Sequence, residues 1–305
     1  MKQPETFFVK KANGKRLTAT AFTPSAPNGR TLLISVATGM KQTFYYNFAE
    51  YCAEAGYHTY TYDYSDIGLS KQGDIRLSDT SYTTWGAEDY PAMVRFLREK
   101  HPEQPLFVIG HSFGGNCLGM AEASLDVAAF VTIASQQGYW RGFSGWHQFR
   151  AWFVFAVSMP LLTRLFGYFP AQTHGLGEDL PKNVLYDWAE VILKPEGIRG
   201  MVKRGVSYFE RLTQNMLIIS IDDDENAPKQ AVDKFAACFP NAKIERKHIA
   251  PKDGNADAIG HLNFFRKKFQ PTLWQIPLQW LERQASDKHR NYAASEADLI
   301  SATYK

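Results

Sequence analysis

Apolar residues along the chain fall into two alternating patterns. Short, nearly continuous apolar, β-branched or aromatic runs predict buried strands: "TLLISVA" (Thr31–Ala37), "HTYTYDY" (His58–Tyr64), "LFVI" (Leu106–Ile109), "VAAFVTIAS" (Val127–Ser135) and "MLIISI" (Met216–Ile221). Between and after them lie segments with helical spacing: Phe44–Ala55, closed by Gly56, then Trp85–Lys100, the small-residue segment Gly114–Ala123, Lys229–Cys238 and Leu273–Arg283. Near the start, Phe7–Val9 and Leu17–Phe22 alternate about "ANGK", whose Asn13-Gly14 predicts a hairpin, and "KIERKHI" (Lys243–Ile249) adds a late strand. Strands separated by helices predict an α/β fold with a mostly parallel central sheet covered on both faces.

The alternation stops between Gln137 and Ser207, where "WRGFSGWHQFRAWFVFAVSMPLLTRLFGYFPAQTHGLGEDLP" is dense in Trp, Phe, Tyr and Met. The expected division is a core of residues 1–136 and 208–285, an insertion at 137–207, and a polar tail at 286–305. With 305 residues, 45% of them hydrophobic, the chain can bury a large core, and one domain with an insertion suits that length. The longest apolar run, Ala151–Leu162, is shorter than the roughly 20 residues a bilayer span needs, and Arg164 follows, so no transmembrane segment is expected.

Charge removes one class of partner. The net charge of +3 comes from 34 basic and 31 acidic residues with no long block of one sign, so nucleic acid is not an expected partner. The groups Arg246-Lys247-His248 and Arg266-Lys267-Lys268 read as solvated faces. Cys52, Cys117 and Cys238 are scattered, without metal-site spacing, and are expected to be reduced, buried thiols of a cytoplasmic protein. The N-terminal residues "MKQPETFFVKKANGK" lack the apolar core of a signal peptide, so export is not expected. There is no H-E-x-x-H and no Walker loop, and "HGLGED" follows no buried strand, so no cofactor or metal is expected.

The strand Leu106–Ile109 runs straight into Gly110-His111-Ser112-Phe113-Gly114, a G-x-S-x-G sequence between a predicted strand and a predicted helix. Glycine on both flanks permits a tight turn that pushes the serine hydroxyl above the sheet edge. A serine hydroxyl is a poor nucleophile at neutral pH and needs a histidine base oriented by an acid. Of the histidines after the interruption, His248 lies within a predicted strand and His289 in the polar tail, whereas His261, in "AIGHLNFF", sits in a loop between the last strand and the last helix. Three carboxylates, Asp222, Asp223 and Asp224, directly follow the strand Met216–Ile221, and some of them must face solvent because unpaired buried charge is costly.

With these motifs the sequence resembles the α/β-hydrolase superfamily over nearly its whole length, in particular serine hydrolases similar to monoglyceride lipases and serine aminopeptidases. The resemblance implies an α/β-hydrolase fold with a helical cap at the interruption and a cofactor-independent acyl-transfer chemistry. It selects Asp224 as the acid, because relatives carry an aspartate four residues before a proline and Pro228 stands there; Asp223 is the runner-up. Ile221 departs from the glycine that relatives usually have before the acid. Backbone donors for an oxyanion are expected from Phe113, next to the nucleophile, and from Met40 in the loop "TGM", where Thr38-Gly39 replaces the usual His-Gly. The loop "YDYSDIGLS" resembles a family strand-and-loop motif, with Asp63, Gly68 and Ser70 read as structural.

The expected activity is hydrolysis of carboxylic esters with a hydrophobic acyl or alcohol part through an acyl-enzyme on Ser112, with cap aromatics lining an apolar pocket and the cap leaving room for transient membrane contact. Two alternatives stay open. One is an aminopeptidase or amidase in which Glu178, Asp179, Asp187 or Glu190 of the cap binds a substrate amine. The other is a noncatalytic member of the fold that holds a small ligand under the cap.

Overall fold

The computed structural model describes residues 2–143, 145–202 and 207–285, and the predicted polar tail at 286–305 lies outside the described residues. The strands in chain order are β1 (Glu5–Lys10), β2 (Arg16–Phe22), β3 (Thr31–Ser35), β4 (His58–Tyr62), β5 (Leu106–His111), β6 (Ala129–Ile133), β7 (Tyr168–Phe169), β8 (Leu180–Pro181), β9 (Asn215–Ile221) and β10 (Lys243–Ile249). Eight of them form one sheet in the order β1-β2-β4-β3-β5-β6-β9-β10, and β7 pairs with β8 separately. The hairpin β1–β2 is antiparallel, as is the β2–β4 pair, and every pair from β4 through β10 is parallel.

The apolar runs follow from this layering. Every residue of β3, β5 and β6 is buried, because helices cover both sheet faces and leave no side for polar residues. The edge strand β10 alternates instead, with Ile249 buried and Glu245, with most of its polar neighbours, facing outward. Consecutive strands β3 and β4 grow the sheet one way, and β5, β6, β9 and β10 grow it the other way from β3. The order therefore reverses between β3 and β5, and loops leaving the carboxyl ends of these two strands diverge to form a crevice.

Two predicted elements differ. The segment after Ser112 is not one helix over Gly114–Ala123 but a short α-turn, Phe113–Asn116, followed by 3₁₀ turns at Cys117–Met120 and Glu122–Asp126. Its glycines serve close approach: a Cβ on Gly119 would lie 2.4 Å from the Phe209 ring, and one on Gly115 would lie 2.1 Å from Ser135 Oγ. The apolar run Ala151–Leu162 is likewise the middle of a longer element, a 21-residue helix from Trp146 to Phe166 with a π-turn at Val154–Ser158. The more polar flank "WHQFR" extends it, so among the described residues this helix is long and apolar enough, by length and composition, to cross a membrane.

Between β6 and β9, the helix Trp146–Phe166 packs one face, Phe155, Met159 and Thr163, toward the helix Lys182–Leu193, with the Phe155 and Trp188 rings 4.9 Å apart. The segment carrying β7 and β8 folds back onto the loop after β3. The cap aromatics expected to line a pocket divide differently: Phe155 and Phe169 are buried, whereas Trp146, Phe149, Trp152, Phe153 and Phe166 are exposed. The physical reason is that Phe155 faces Trp188 on the helix Lys182–Leu193 and Phe169 lies in β7, paired with Leu180 of β8, while the others lie on the outer faces of the helix Trp146–Phe166.

Candidate active site

Strand β5 ends at His111 and the chain turns at once into the short helix Phe113–Asn116, which leaves Ser112 at φ 52° and ψ −119°, a conformation unfavourable for a side chain with a Cβ. The flanking glycines make it possible. A Cβ on Gly114 would stand 2.1 Å from the Ser35 carbonyl oxygen, and one on Gly110 would stand 2.6 Å from Gly115 Cα. The Ser112 N–H donates to Ile133 O at 2.9 Å, tying the turn to β6.

His261 reaches this corner from the loop after β10. Its Nε2 lies 3.0 Å from Ser112 Oγ, and its Nδ1 lies 2.7 Å from Asp224 Oδ2. Asp224 Oδ1 accepts the Asn226 and Ala227 N–H groups, each at 2.9 Å, so the carboxylate is fixed by the turn after β9. An acceptor at Nδ1 places the neutral ring's proton there and leaves Nε2 free to accept from the serine hydroxyl. Burial pushes the Asp224 carboxyl up, but His261 and the two backbone donors outweigh it and hold the group below its ordinary value. The three consecutive aspartates have separate work. Asp223 accepts the Ile259 and Gly260 N–H groups at 2.8 and 3.0 Å and so shapes the loop that carries His261. Asp222 is exposed and lies 3.1 Å from His248 Nε2.

The loop after β3 stands on the other side of Ser112. The Phe113 N–H, at the first position of a helix, meets no acceptor among the described residues. The Met40 N–H does not stand free: it donates to Ala37 O at 3.1 Å, closing a tight turn in which Gly39 supplies φ +69°. That turn is pinned residue by residue. Ala37 N–H donates to the Tyr45 hydroxyl, Thr38 Oγ1 lies 2.6 Å from the Tyr82 hydroxyl, and the Gln42 N–H donates to Asp63 at 2.7 Å. Asp63 also accepts the Leu69 N–H, and a Cβ on Gly68 would come within 2.6 Å of its carboxylate, so Asp63 and Gly68 shape the loop. Ser70 Oγ likewise accepts the Thr18 N–H and donates to Asp63 O.

A model of the family described as serine aminopeptidase, S33, matches residues 30–183, just over half of the chain. The chain belongs to this family. The α/β-hydrolase fold is also that of several solved structures. They include a soluble variant of monoglyceride lipase from Saccharomyces cerevisiae in complex with a substrate analog, at 14% identity and TM-score 0.67 over 93% of this chain and 96% of that one. Another is the α/β hydrolase GrgF from Penicillium sp. sh18, at 16% identity and TM-score 0.61 over 93% and 99% of the two chains. A third is Est1E from Butyrivibrio proteoclasticus with ferulic acid bound, at 16% identity and TM-score 0.57 over 92% and 99%. No curated protein matches the chain in sequence.

One group at the site of this S33-family chain has no role assigned from the sequence. His111, inside the G-x-S-x-G sequence, is buried beneath His261; its Nδ1 lies 2.7 Å from the Tyr45 hydroxyl and its Nε2 lies 2.9 Å from the His261 carbonyl oxygen. Tyr45 accepts the Ala37 N–H and donates to Nδ1, so Nε2 carries the proton and donates to His261 O. Burial, and then the charge of His261, pushes the His111 ring down to about 3. A neutral ring thus joins the serine turn, the histidine loop and the loop after β3. Its signal was its place beside the serine.

Glu178 was considered as a binder of substrate amines, and the structure gives it other work. It is buried, its Oε1 lies 3.2 Å from Lys41 Nζ, and its Oε2 lies 2.6 Å from Lys71 Nζ. Burial pushes its carboxyl up, and the two lysines more than reverse that. Its N–H donates to Gly39 O at 2.7 Å, so the insertion is fastened to the loop after β3 by backbone and side chain together. The other carboxylates considered with it are also engaged: Asp179 accepts the Gln172 N–H, Asp187 the Tyr82 N–H, and Glu190 the Lys194 ammonium.

Proposed function

We propose that the protein is a serine hydrolase that cleaves carboxylic esters with a hydrophobic acyl or alcohol part through an acyl-enzyme on Ser112. The observation that carries this reading is the unbroken hydrogen-bonded row Ser112 Oγ, His261, Asp224, with the serine held on a strained turn at the crevice. As Ser112 Oγ attacks the substrate carbonyl carbon, His261 Nε2 takes the hydroxyl proton and Asp224 stabilises the imidazolium. The oxyanion is met by the Phe113 N–H and by the Met40 N–H, which turns away from Ala37 O because a full negative charge is the stronger acceptor. His261 then protonates the leaving alkoxide. Water, activated by the same nitrogen, hydrolyses the acyl-serine and returns the proton to Ser112.

The amidase or aminopeptidase reading is the weaker one, because Glu178, Asp179, Asp187 and Glu190 are each already engaged within the protein. In this proposal segment 137–207 acts as the cap, and the hydrophobic wall next to Ser112 is Phe113 stacked on Tyr82, ring centroids 4.0 Å apart, with Leu180 against Gly39. A cytoplasmic location accords with three buried, unpaired cysteines among the described residues.

The test is labelling with a fluorophosphonate, followed by kcat/KM on p-nitrophenyl esters from acetyl to decanoyl and on amino-acid p-nitroanilides. Rapid labelling lost in Ser112→Ala, with esters turned over and anilides not, is the expected outcome. Each accommodated methylene is worth up to about 0.8 kcal/mol, so medium chains should exceed acetate by tens of times. Folded protein that does not label leaves the noncatalytic reading standing; anilide turnover without ester turnover moves the protein to the peptidases.

A further inference from the structure

The helix Trp146–Phe166 concentrates the apolar surface of the molecule. Thirteen large hydrophobic side chains are exposed among the described residues, and eight of them belong to this helix. Six form one stripe, Trp146, Phe149, Phe153, Val157, Leu161 and Leu165, exposed by between 40% and 75%. Steps of four residues drift by about 40° around an ideal α-helix, and the π-turn at Val154–Ser158 takes back part of that drift, keeping the stripe on one side. A continuous apolar stripe of this length on the outside of a protein marks a contact surface.

Charge identifies the partner. No Asp or Glu occurs between Asp126 and Glu178, a stretch that holds Arg141, Arg150 and Arg164. All three arginines are exposed; Arg150 shares Glu225 at 3.0 Å, and Arg164 forms no ion pair among the described residues. Two copies of this chain meeting through the stripe would bring like-charged arginines together with no carboxylate on the stripe's own segment to receive them. An anionic bilayer supplies both complements, acyl chains for the stripe and phosphate or carboxylate headgroups for the arginines.

We propose that the helix Trp146–Phe166 is an interfacial anchor that lies flat on an anionic lipid surface. It does not cross the bilayer, although its length would suffice. Arg150 and Arg164 both fall within it, and its opposite face, Phe155, Met159 and Thr163, is committed to the protein. Beyond its end, marked by Gly167 at φ +79°, the chain passes through β7 to Glu178, which is fastened to the loop after β3, and then into β8. The anchor is independent of the bond that Ser112 attacks.

The experiment is sedimentation with phosphatidylcholine vesicles and with vesicles containing about one-third phosphatidylserine or phosphatidylglycerol, using the full chain, Ser112→Ala, and the double variant Phe153→Glu/Leu161→Glu. Expected is binding to the anionic vesicles several-fold stronger than to the neutral ones, weakened by about 0.5 M salt, equal in Ser112→Ala and at least about tenfold weaker in the double variant. Unchanged hydrolysis of p-nitrophenyl acetate, or an unchanged melting curve should the protein prove noncatalytic, shows that the double variant is folded. The proposal is overturned if anionic vesicles do not bind the chain, if neutral vesicles bind it equally, or if the double variant binds undiminished. It is also overturned if light scattering shows a dimer that this variant splits, because the stripe is then an interface between copies.

Discussion

Replacing Asp224 by Asn tests the proposed site at the place where its geometry is most specific. The carboxylate uses Oδ1 for two backbone N–H groups and Oδ2 for His261 Nδ1. An Asn side chain has one acceptor, and the two backbone donors claim it, so the amide N–H₂ must face His261. Two donors cannot share that contact, and the imidazole moves its proton to Nε2, the tautomer that cannot accept from Ser112. Flipping the amide restores the tautomer but leaves two buried backbone N–H groups facing a donor, at about 1 to 3 kcal/mol each. The flip therefore costs about 2 to 6 kcal/mol, which at 1.36 kcal/mol per decade leaves the competent form at roughly one part in 30 to one part in 10⁴. Loss of the imidazolium's countercharge adds to this, so kcat should fall by about 10³ to 10⁴, the upper end matching the corresponding change in serine proteases. Steady-state hydrolysis of a p-nitrophenyl ester, with the melting temperature as a folding check, measures it. Asp223→Asn should cost less, because it loosens the His261 loop through Ile259 and Gly260 without reversing a tautomer. A folded Asp224→Asn protein within tenfold of the parent, or a larger loss in Asp223→Asn, would show that the reasoning is wrong.

Glu178→Gln removes the charge that Lys41 and Lys71 share and should lower kcat by about tenfold with KM nearly unchanged, short of the 10²–10³ that follows loss of an oxyanion donor; a change confined to KM would assign Glu178 to substrate binding instead. The His111 ring, pushed down to about 3 from 6.5, takes its proton in the unfolded chain but not in the folded one as pH falls below about 6.5. Its contribution to stability is therefore complete above that pH and is lost progressively below it, at up to about 1.4 kcal/mol per pH unit. Urea midpoints followed from about pH 7 to 4 should fall accordingly and fall less steeply in His111→Gln; parallel curves would trace the loss to other groups.

Much of this was legible because burial leaves a one-dimensional trace. Strands β3, β5 and β6 are covered on both faces, so each is an apolar run, and the glycines about Ser112 announce a turn that other residues would block. His261 was expected from its loop and Asp224 from the family resemblance, which puts an aspartate four residues before Pro228, and the two side chains lie 2.7 Å apart. What stayed hidden depends on residues far apart in sequence. The broken helix after Ser112 needs Phe209 against Gly119. The outward-facing aromatics of Trp146–Phe166 follow from Trp188 occupying the opposite side. Glu178 pairs with Lys71 across 107 positions. The bond between Met40 N–H and Ala37 O is a local turn, but no residue pattern distinguishes a turn whose donor is occupied from one whose donor is open.

The peptide between Gly39 and Met40 belongs to two structures at once: its carbonyl takes the Glu178 N–H, and its amide is the one expected to meet the substrate's oxyanion. A peptide group is a rigid plate. Swinging its amide edge toward a negative charge swings its carbonyl edge through the same angle, and the insertion must follow or let go. In the proposed mechanism, gripping the transition state and seating the insertion are therefore a single equilibrium observed from opposite ends. By reciprocity, a ligand that grips residues 176–180 would change the affinity for a charged acyl adduct at Ser112 by the same factor with which that adduct changes the ligand's own affinity.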